Sequence, residues 1–274
     1  MKHLQNLHTH STYCDGIDTP EQMIAHAMEK GFDSLGFSGH SFFQESEYCV
    51  NVGITEESTK QYREKIRQLQ EQYRGTFPLF LGLEVEYYSD TDLSGYDYLI
   101  GSVHYLKKDG QYLDFDLHGE VVKNLIDQHF GGDGLAFAKM YYETLAQLPQ
   151  RGAFDIIGHF DLVSKNLEKM ALFDDTCKQY LDYAFETARA LQGKIPFFEV
   201  NTGAIARGYR TTPYPSIPIL KELKRLGFGA IISSDCHDGR KLDCGFEQAR
   251  ELLLHCGFKE KYILTDSGFR AVEL

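Results

Sequence analysis

Short apolar runs alternate along this chain with longer amphipathic stretches, and nearly every apolar run ends in a polar cluster. Short apolar runs bounded by polar residues predict buried strands, whereas longer stretches of helical period predict helices. In "TPEQMIAHAMEKG" (19–31), Thr19 supplies a cap, Pro20 takes the first helical position and Gly31 is a stop. Further helices are expected at 57–74, 134–148, 174–192, 216–226 and 245–257. Strands are expected at 34–40, 78–88, 96–106, 154–161, 196–202 and 227–237. With the opening segment this makes seven strands separated mostly by helices, the pattern of a parallel sheet that is doubly wound or closed into a barrel. No repeat, low-complexity tract or linker interrupts the alternation, so residues 1–274 are expected to form one domain.

The polar residues that close these runs share one placement. His8 and His10 end the first strand, His40 the second, and Glu84 sits late in the third. His104 lies late in the fourth, His159 closes the fifth, and Asp235 with His237 ends the seventh. The C-terminal ends of parallel barrel strands are where such folds gather their active sites. Residues two apart on a strand face the same way, so His8 with His10 and Asp235 with His237 can converge. A single histidine after an apolar run is more often a hydrogen-bonded core residue than a ligand, and Glu86 shares the strand face of Glu84 and competes with it. Six of the eleven histidines nevertheless fall at strand ends; His3, His26, His118, His129 and His255 receive no ligand role.

With Asp15 added, the potential ligands are His8, His10, Asp15, His40, Glu84, His104, His159, Asp235 and His237. A mononuclear zinc site would use about three protein ligands and a water. This set is large enough for two or three ions and too rich in imidazole for magnesium or calcium, so zinc, manganese or iron is expected.

Composition narrows the partners. The 274 residues carry 40 acidic against 28 basic side chains, a formal charge of −12, which argues against a nucleic-acid groove or an anionic membrane surface. No apolar run could span a bilayer, and "MKHLQNLHTH" lacks the apolar core of a secretion signal, so a cytoplasmic protein is expected. The six cysteines form no CxxC pair and read as reduced thiols, with Cys14 and Cys236 beside the polar clusters.

The segments "HTHSTYCDG", "FSGH", "GLEVEY", "GSVH", "IIGHFD", "EVNTGA" and "SSDCHD" follow one another across residues 8–238. This ordered set resembles the PHP (polymerase and histidinol phosphatase) family, in its histidinol-phosphate phosphatase branch. The resemblance implies an α/β fold, a distorted seven-stranded (β/α)7 TIM-like barrel, with a trinuclear centre. Carried over by motif, His8, His10, Glu84 and Asp235 would hold the first ion. Glu84, His104 and His159 would hold the second, and Asp15, His40 and His237 the third. Some relatives have histidine where this chain has Asp15, which still supplies a ligand. Implied too is hydrolysis of L-histidinol phosphate to L-histidinol and phosphate, a step of histidine biosynthesis, by in-line attack of a metal-bound hydroxide with Glu84, Asp235 and His237 as catalytic residues. Another small phosphomonoester or a nucleotide is the alternative substrate. For phosphate binding, the family suggests Asn201 and a basic residue after it. Some relatives place arginine where this chain has Gly203; Arg207 is then the nearer candidate and Arg210 the second, with Lys165 in a region where relatives also offer a basic side chain. The group that protonates the leaving alkoxide is not assigned by the resemblance; Asp161 lies close in sequence to His159. An amidohydrolase-type centre usually has a bridging lysine, and no lysine ends a predicted strand.

Overall fold

Seven strands pair in parallel in the computed structural model, which describes residues 3–274; Met1 and Lys2, and with them the start of the expected domain and leader-free terminus, lie outside the described residues. With two antiparallel hairpins the described residues form eleven strands in all: β1 (Gln5–Asn6), β2 (Ser34–Phe37), β3 (Leu79–Glu86), β4 (Tyr98–Ser102), β5 (Tyr105–Lys108), β6 (Gln111–Asp114), β7 (Ile156–Ile157), β8 (Phe197–Asn201), β9 (Gly229–Ser233), β10 (Glu260–Thr265) and β11 (Gly268–Glu273). The parallel sheet runs in the order β1-β2-β3-β4-β7-β8-β9. Its two edges meet where Thr9 bridges Cys236, with the His10 N–H donating to the Cys236 carbonyl at 2.8 Å and the Cys236 N–H to the His8 carbonyl at 3.0 Å. The sheet is thus a nearly closed barrel, and the residues that close it neighbour the predicted ligands.

The helices lie between these strands: α1 (Pro20–Glu29), α2 (Glu47–Val52), α3 (Glu56–Gln72), α4 (Gly119–Phe130), α5 (Gly134–Leu145), α6 (Lys178–Leu191), α7 (Gly203–Ala206), α8 (Ile217–Arg225) and α9 (Phe246–His255). The capping chemistry read from the sequence is realised in α1. Thr19 accepts from the Gln22 N–H, the Gln22 side chain accepts from the Thr19 N–H, and Met23, Ile24 and Ala27 are buried. Among the described residues, no helix is long and apolar enough to cross a membrane.

Inside the barrel, Tyr98 fills space that two glycines leave open. A Cβ on Gly82 would lie 2.2 Å from its ring and one on Gly36 2.4 Å from its hydroxyl oxygen. The hydroxyl donates to the carbonyls of Leu7 (2.5 Å) and Phe37 (3.1 Å), tying the strand ends next to His8 and His40 to the core.

Two hairpins were absent from the sequence reading. The apolar run expected as one strand over 96–106 breaks at Val103–His104, and β5 turns back into β6 through Asp109 (φ 52°) and Gly110 (φ 79°), an Asp-Gly turn of the type that suits hairpins. At the other end of the barrel, β10 and β11 pair antiparallel, and Gln5 grips Leu264 through both its amide ends.

Candidate metal centre

Glu84 is the hub. It is 1% exposed at the end of β3, and its two oxygens face five imidazoles. Oε2 lies 2.9 Å from His40 Nδ1, 3.2 Å from His8 Nε2 and 3.6 Å from His10 Nε2. Oε1 lies 3.0 Å from His159 Nε2 and 3.3 Å from His104 Nε2. Asp235 follows β9 in a left-handed conformation (φ 46°), unusual for a non-glycine residue and common at functional sites. Its Oδ1 is 3.2 Å from His10 Nε2 and 3.6 Å from His8 Nε2, while its Oδ2 accepts from Arg207 at 2.8 Å. Asp15 reaches His237 Nε2 at 2.8 Å and His40 Nε2 at 3.6 Å.

Three groups have ligand atoms close enough to surround an ion: His10, Asp15, His40 and His237; His8, His10 and Glu84; and Glu84, His104 and His159. All nine predicted ligands come together, with two differences from the grouping the resemblance implies. His10 also belongs to the Asp15 group, and Asp235 borders the groups without being part of one. The five histidines given no ligand role fall outside all three.

The hydrogen bonding fits cations. His8 Nε2, His10 Nε2, Asp15 Oδ1 and Glu84 Oε2 are buried with no hydrogen-bond partner, which is costly for polar atoms unless another charge meets them. His104 Nε2 and His159 Nε2 face each other at 3.2 Å while His104 Nδ1 lies 3.1 Å from Glu86. With Nδ1 donating to Glu86, Nε2 is the His104 atom that can give up its proton and present a lone pair to an ion.

Burial, the largest influence on these groups, opposes charge, and neighbours decide which way each one goes. His10 is pushed down to about 3 by burial and by His237 and His40, so it is neutral and ready to donate a lone pair. In His104 the Glu84 and Glu86 carboxylates outweigh burial and raise the pKa to about 10; carboxylates likewise hold His8 and His40 well above the usual histidine value. Glu84 is held well below the usual carboxylate value, its histidine neighbours overcoming its burial.

Glu86, the competitor for Glu84, instead accepts the backbone N–H (2.8 Å) and Nδ1 (3.1 Å) of His104. Glu199 was missed by sequence reasoning. It is 1% exposed on β8 and binds His8 Nδ1 at 2.9 Å. A carboxylate in the otherwise apolar run "PFFEVN", two positions before Asn201, was the available signal.

Beside the cluster a cavity of about 320 Å³ is lined by Arg207, Lys165, Tyr209, Tyr48 and Asp114, among others. Arg207 donates to the Asp235 carbonyl (3.1 Å) as well as to its carboxylate. Lys165 donates to Asp116 at 2.6 Å and lies over the Tyr209 ring, 4.4 Å from its centroid. The other expected contacts point elsewhere. Asn201 is fully buried, its amide donating to Glu199 (2.8 Å) and accepting from the Gly203 N–H (2.8 Å), so it braces the turn instead of facing the cavity. Arg210 is held by Ser164 and Thr212, and Asp161 accepts from the Ser216 N–H at 3.0 Å; neither lines the cavity. Cys14 Sγ lies 3.4 Å from His10 Nδ1, and Cys236 Sγ donates to the Asp238 carbonyl; burial raises both thiols, Cys236 to about 12, so they pack as neutral groups.

Known proteins resemble this chain in sequence and in fold. The sequence model of the PHP domain family matches residues 6–203. A histidinol-phosphatase of Bacillus subtilis is 25% identical over 261 residues, covering 88% of this chain and 96% of that protein. The crystal structure of histidinol phosphate phosphatase from Lactococcus lactis, complexed with zinc, L-histidinol and phosphate, superposes with a TM-score of 0.71 at 20% identity, covering 98% of this chain and 99% of that one. The hisK structure from Listeria monocytogenes gives a TM-score of 0.75 at 18% identity over 89% of this chain and 99% of its own.

Proposed function

Because this chain belongs to the PHP domain family, in its histidinol-phosphatase branch, and carries that family's metal-dependent phosphoesterase site, we propose that its substrate is L-histidinol phosphate. The products are L-histidinol and phosphate. The observation that favours this ester over a neutral one is Asp114. It lines the cavity from the end of β6, yet no cationic side chain lies within ion-pair distance of it among the described residues. Asp116 has Lys165 at 2.6 Å and Glu86 has His104 at 3.1 Å, whereas Asp114 feels the charge of His104 only from beyond ion-pair distance and is the wall carboxylate without a contacting cation among the described residues. An unpaired carboxylate repels a phosphate but attracts a leaving alcohol that carries an ammonium group, as histidinol does.

Three divalent transition-metal ions (zinc, manganese or iron) held by His8, His10, Asp15, His40, Glu84, His104, His159, Asp235 and His237 would activate a water and clamp the phosphate oxygens. Glu84 gathers three imidazoles at one oxygen and two at the other, and Asp235 orients both His10 and Arg207. Arg207 offers its remaining N–H groups to the phosphate oxygens, where positive charge stabilises the transition state most. Lys165, aligned by Asp116 and Tyr209, adds a second positive charge at the cavity wall. The same reading treats residues 1–274 as one domain and places the protein in the cytoplasm, in keeping with six free cysteine thiols.

Phosphate release from a panel of esters tests the substrate. Wild-type protein should prefer histidinol phosphate to glycerol phosphate and to nucleotides; a flat profile would refute the assignment. Asp114→Asn should lower kcat/KM for histidinol phosphate roughly 30-fold or more, an effect typical of removing one partner from an enclosed charge pair, and leave glycerol phosphate turnover unchanged. Burial, then the Asp116 charge, raises Asp114 to about 6. KM for the cationic ester should therefore rise as pH falls through about 6 in wild type. A raised folded-state pKa means that the ionised carboxylate destabilises the unliganded fold above that pH, so the same Asn variant should melt slightly higher at pH 8.

A further inference from the structure

We propose that Glu199 is a positioning residue for the metal centre, fixing the proton of His8 on Nδ1 so that Nε2 presents its lone pair to the ions; this rests on the metal-centre reading above. Both carboxylate oxygens are fully committed as acceptors. Oε1 receives the His159 N–H (2.7 Å) and the Asn201 amide (2.8 Å), Oε2 receives the Ser233 hydroxyl (2.5 Å), and His8 Nδ1 straddles the two, 2.9 Å from Oε2 and 3.1 Å from Oε1. One side chain therefore joins segments that follow or form four barrel strands, and it touches two of the predicted ligands, His8 and His159.

The donors around Glu199 differ in what they can change. The His159 N–H belongs to the backbone and can only donate. Asn201 is held in its orientation because its oxygen already accepts from Gly203 at 2.8 Å. Ser233 can rotate its hydroxyl to accept, and His8 can move its proton from Nδ1 to Nε2. In Glu199→Gln the new amide N–H2 must therefore sit at the Oε2 position, facing Ser233 and 2.9 Å from His8 Nδ1, nearer than the amide oxygen at 3.1 Å, which turns Nδ1 toward accepting. The proton then moves to Nε2, the atom 3.2 Å from Glu84 and 3.6 Å from Asp235, and the lone pair aimed at the cluster is lost. Substitution of such an outer partner typically lowers metal affinity 10- to 100-fold.

Glu86 provides the contrast. Its Oε2 alone takes both His104 donors, while Oε1 makes one long contact of 3.4 Å to the Tyr88 N–H. A glutamine here can turn its oxygen toward His104, so Glu86→Gln should weaken binding much less.

The test is zinc affinity by chelator competition, together with 15N-resolved NMR of the histidine ring protons in zinc-loaded protein. The expected result is a 10- to 100-fold loss of affinity in Glu199→Gln, a smaller loss in Glu86→Gln, and an Nδ1–H signal from His8 in wild type that Glu199→Gln lacks. Wild-type affinity in a folded Glu199→Gln protein, or a proton on Nε2 of His8 in zinc-loaded wild type, would overturn the proposal. Should that variant fail to fold, the wild-type ring-proton assignment decides by itself. Wild-type protein that binds no zinc would instead refute the metal centre, a different outcome from either.

Discussion

Stripped of metal by a strong chelator, the protein should lose at least ~10³-fold of its phosphate release, because the ions contribute several kcal/mol of transition-state stabilisation. Re-addition of manganese, zinc or iron should restore it. The imidazoles also set a pH dependence. His8, His40 and His104 are held above the ordinary histidine value in the metal-free cluster, His104 at about 10, so loading must displace protons and apparent affinity should climb with pH. Stability of the stripped protein should move the other way. A raised histidine contributes stability that is complete below its unfolded value and is lost as pH rises toward the folded one. The metal-free melting temperature should thus fall between about pH 7 and 10, the window set by His104. Activity that survives exhaustive chelation unchanged would contradict the assignment.

Replacing His10 with alanine should cost as much. His10 is 1% exposed, belongs to two of the three ligand groups and lies 3.2 Å from Asp235. No neighbouring side chain can take over in both groups, so kcat should fall by roughly 10³-fold or more. The fold should persist with a cooperative melt, since His10 is already neutral and crowded by His237 and His40. Titration of the variant with manganese, followed by kcat and by circular dichroism, separates a lost ligand from a lost fold. Wild-type kcat in a metal-poor His10→Ala protein would remove the residue from the site.

The clustering of the proposed ligands was legible in the sequence because their placement is local. His8 with His10, and Asp235 with His237, are two apart at strand ends, and strand geometry alone aims them together. Residues whose role depends on distant partners were not. Glu199 reads as an acid stranded in an apolar strand until His8, 191 positions away, is placed against it. In "ARGYR" only nearness to Asn201 ranks Arg207 before Arg210, but the turn after α7 sends the first to Asp235 and the second to Ser164. Asn201 sits in a matching motif, yet its amide is consumed by Glu199 and Gly203.

The fold shows the same division. Alternating apolar runs and capped helices pointed to a helix-flanked parallel sheet, since burial and capping act over a few residues, while its closure into a barrel was implied only by the family resemblance. β4 and the start of β5 were merged into one strand because "YLIGSVHYL" is mostly apolar, and the break at His104 comes from Glu86 gripping its backbone and ring. The turn "KKDGQ" carried an Asp-Gly signal that marks the reversal of the β5–β6 hairpin. That hairpin matters for function, because it delivers Asp114 to the cavity.

Anomalous diffraction from crystals grown with manganese or zinc tests the centre most directly. The account predicts three peaks per chain, one within each ligand group and each about 2.0–2.3 Å from imidazole nitrogen or carboxylate oxygen. A protein that releases phosphate from histidinol phosphate while its crystals show no peak among His8, Glu84 and His237 would contradict it.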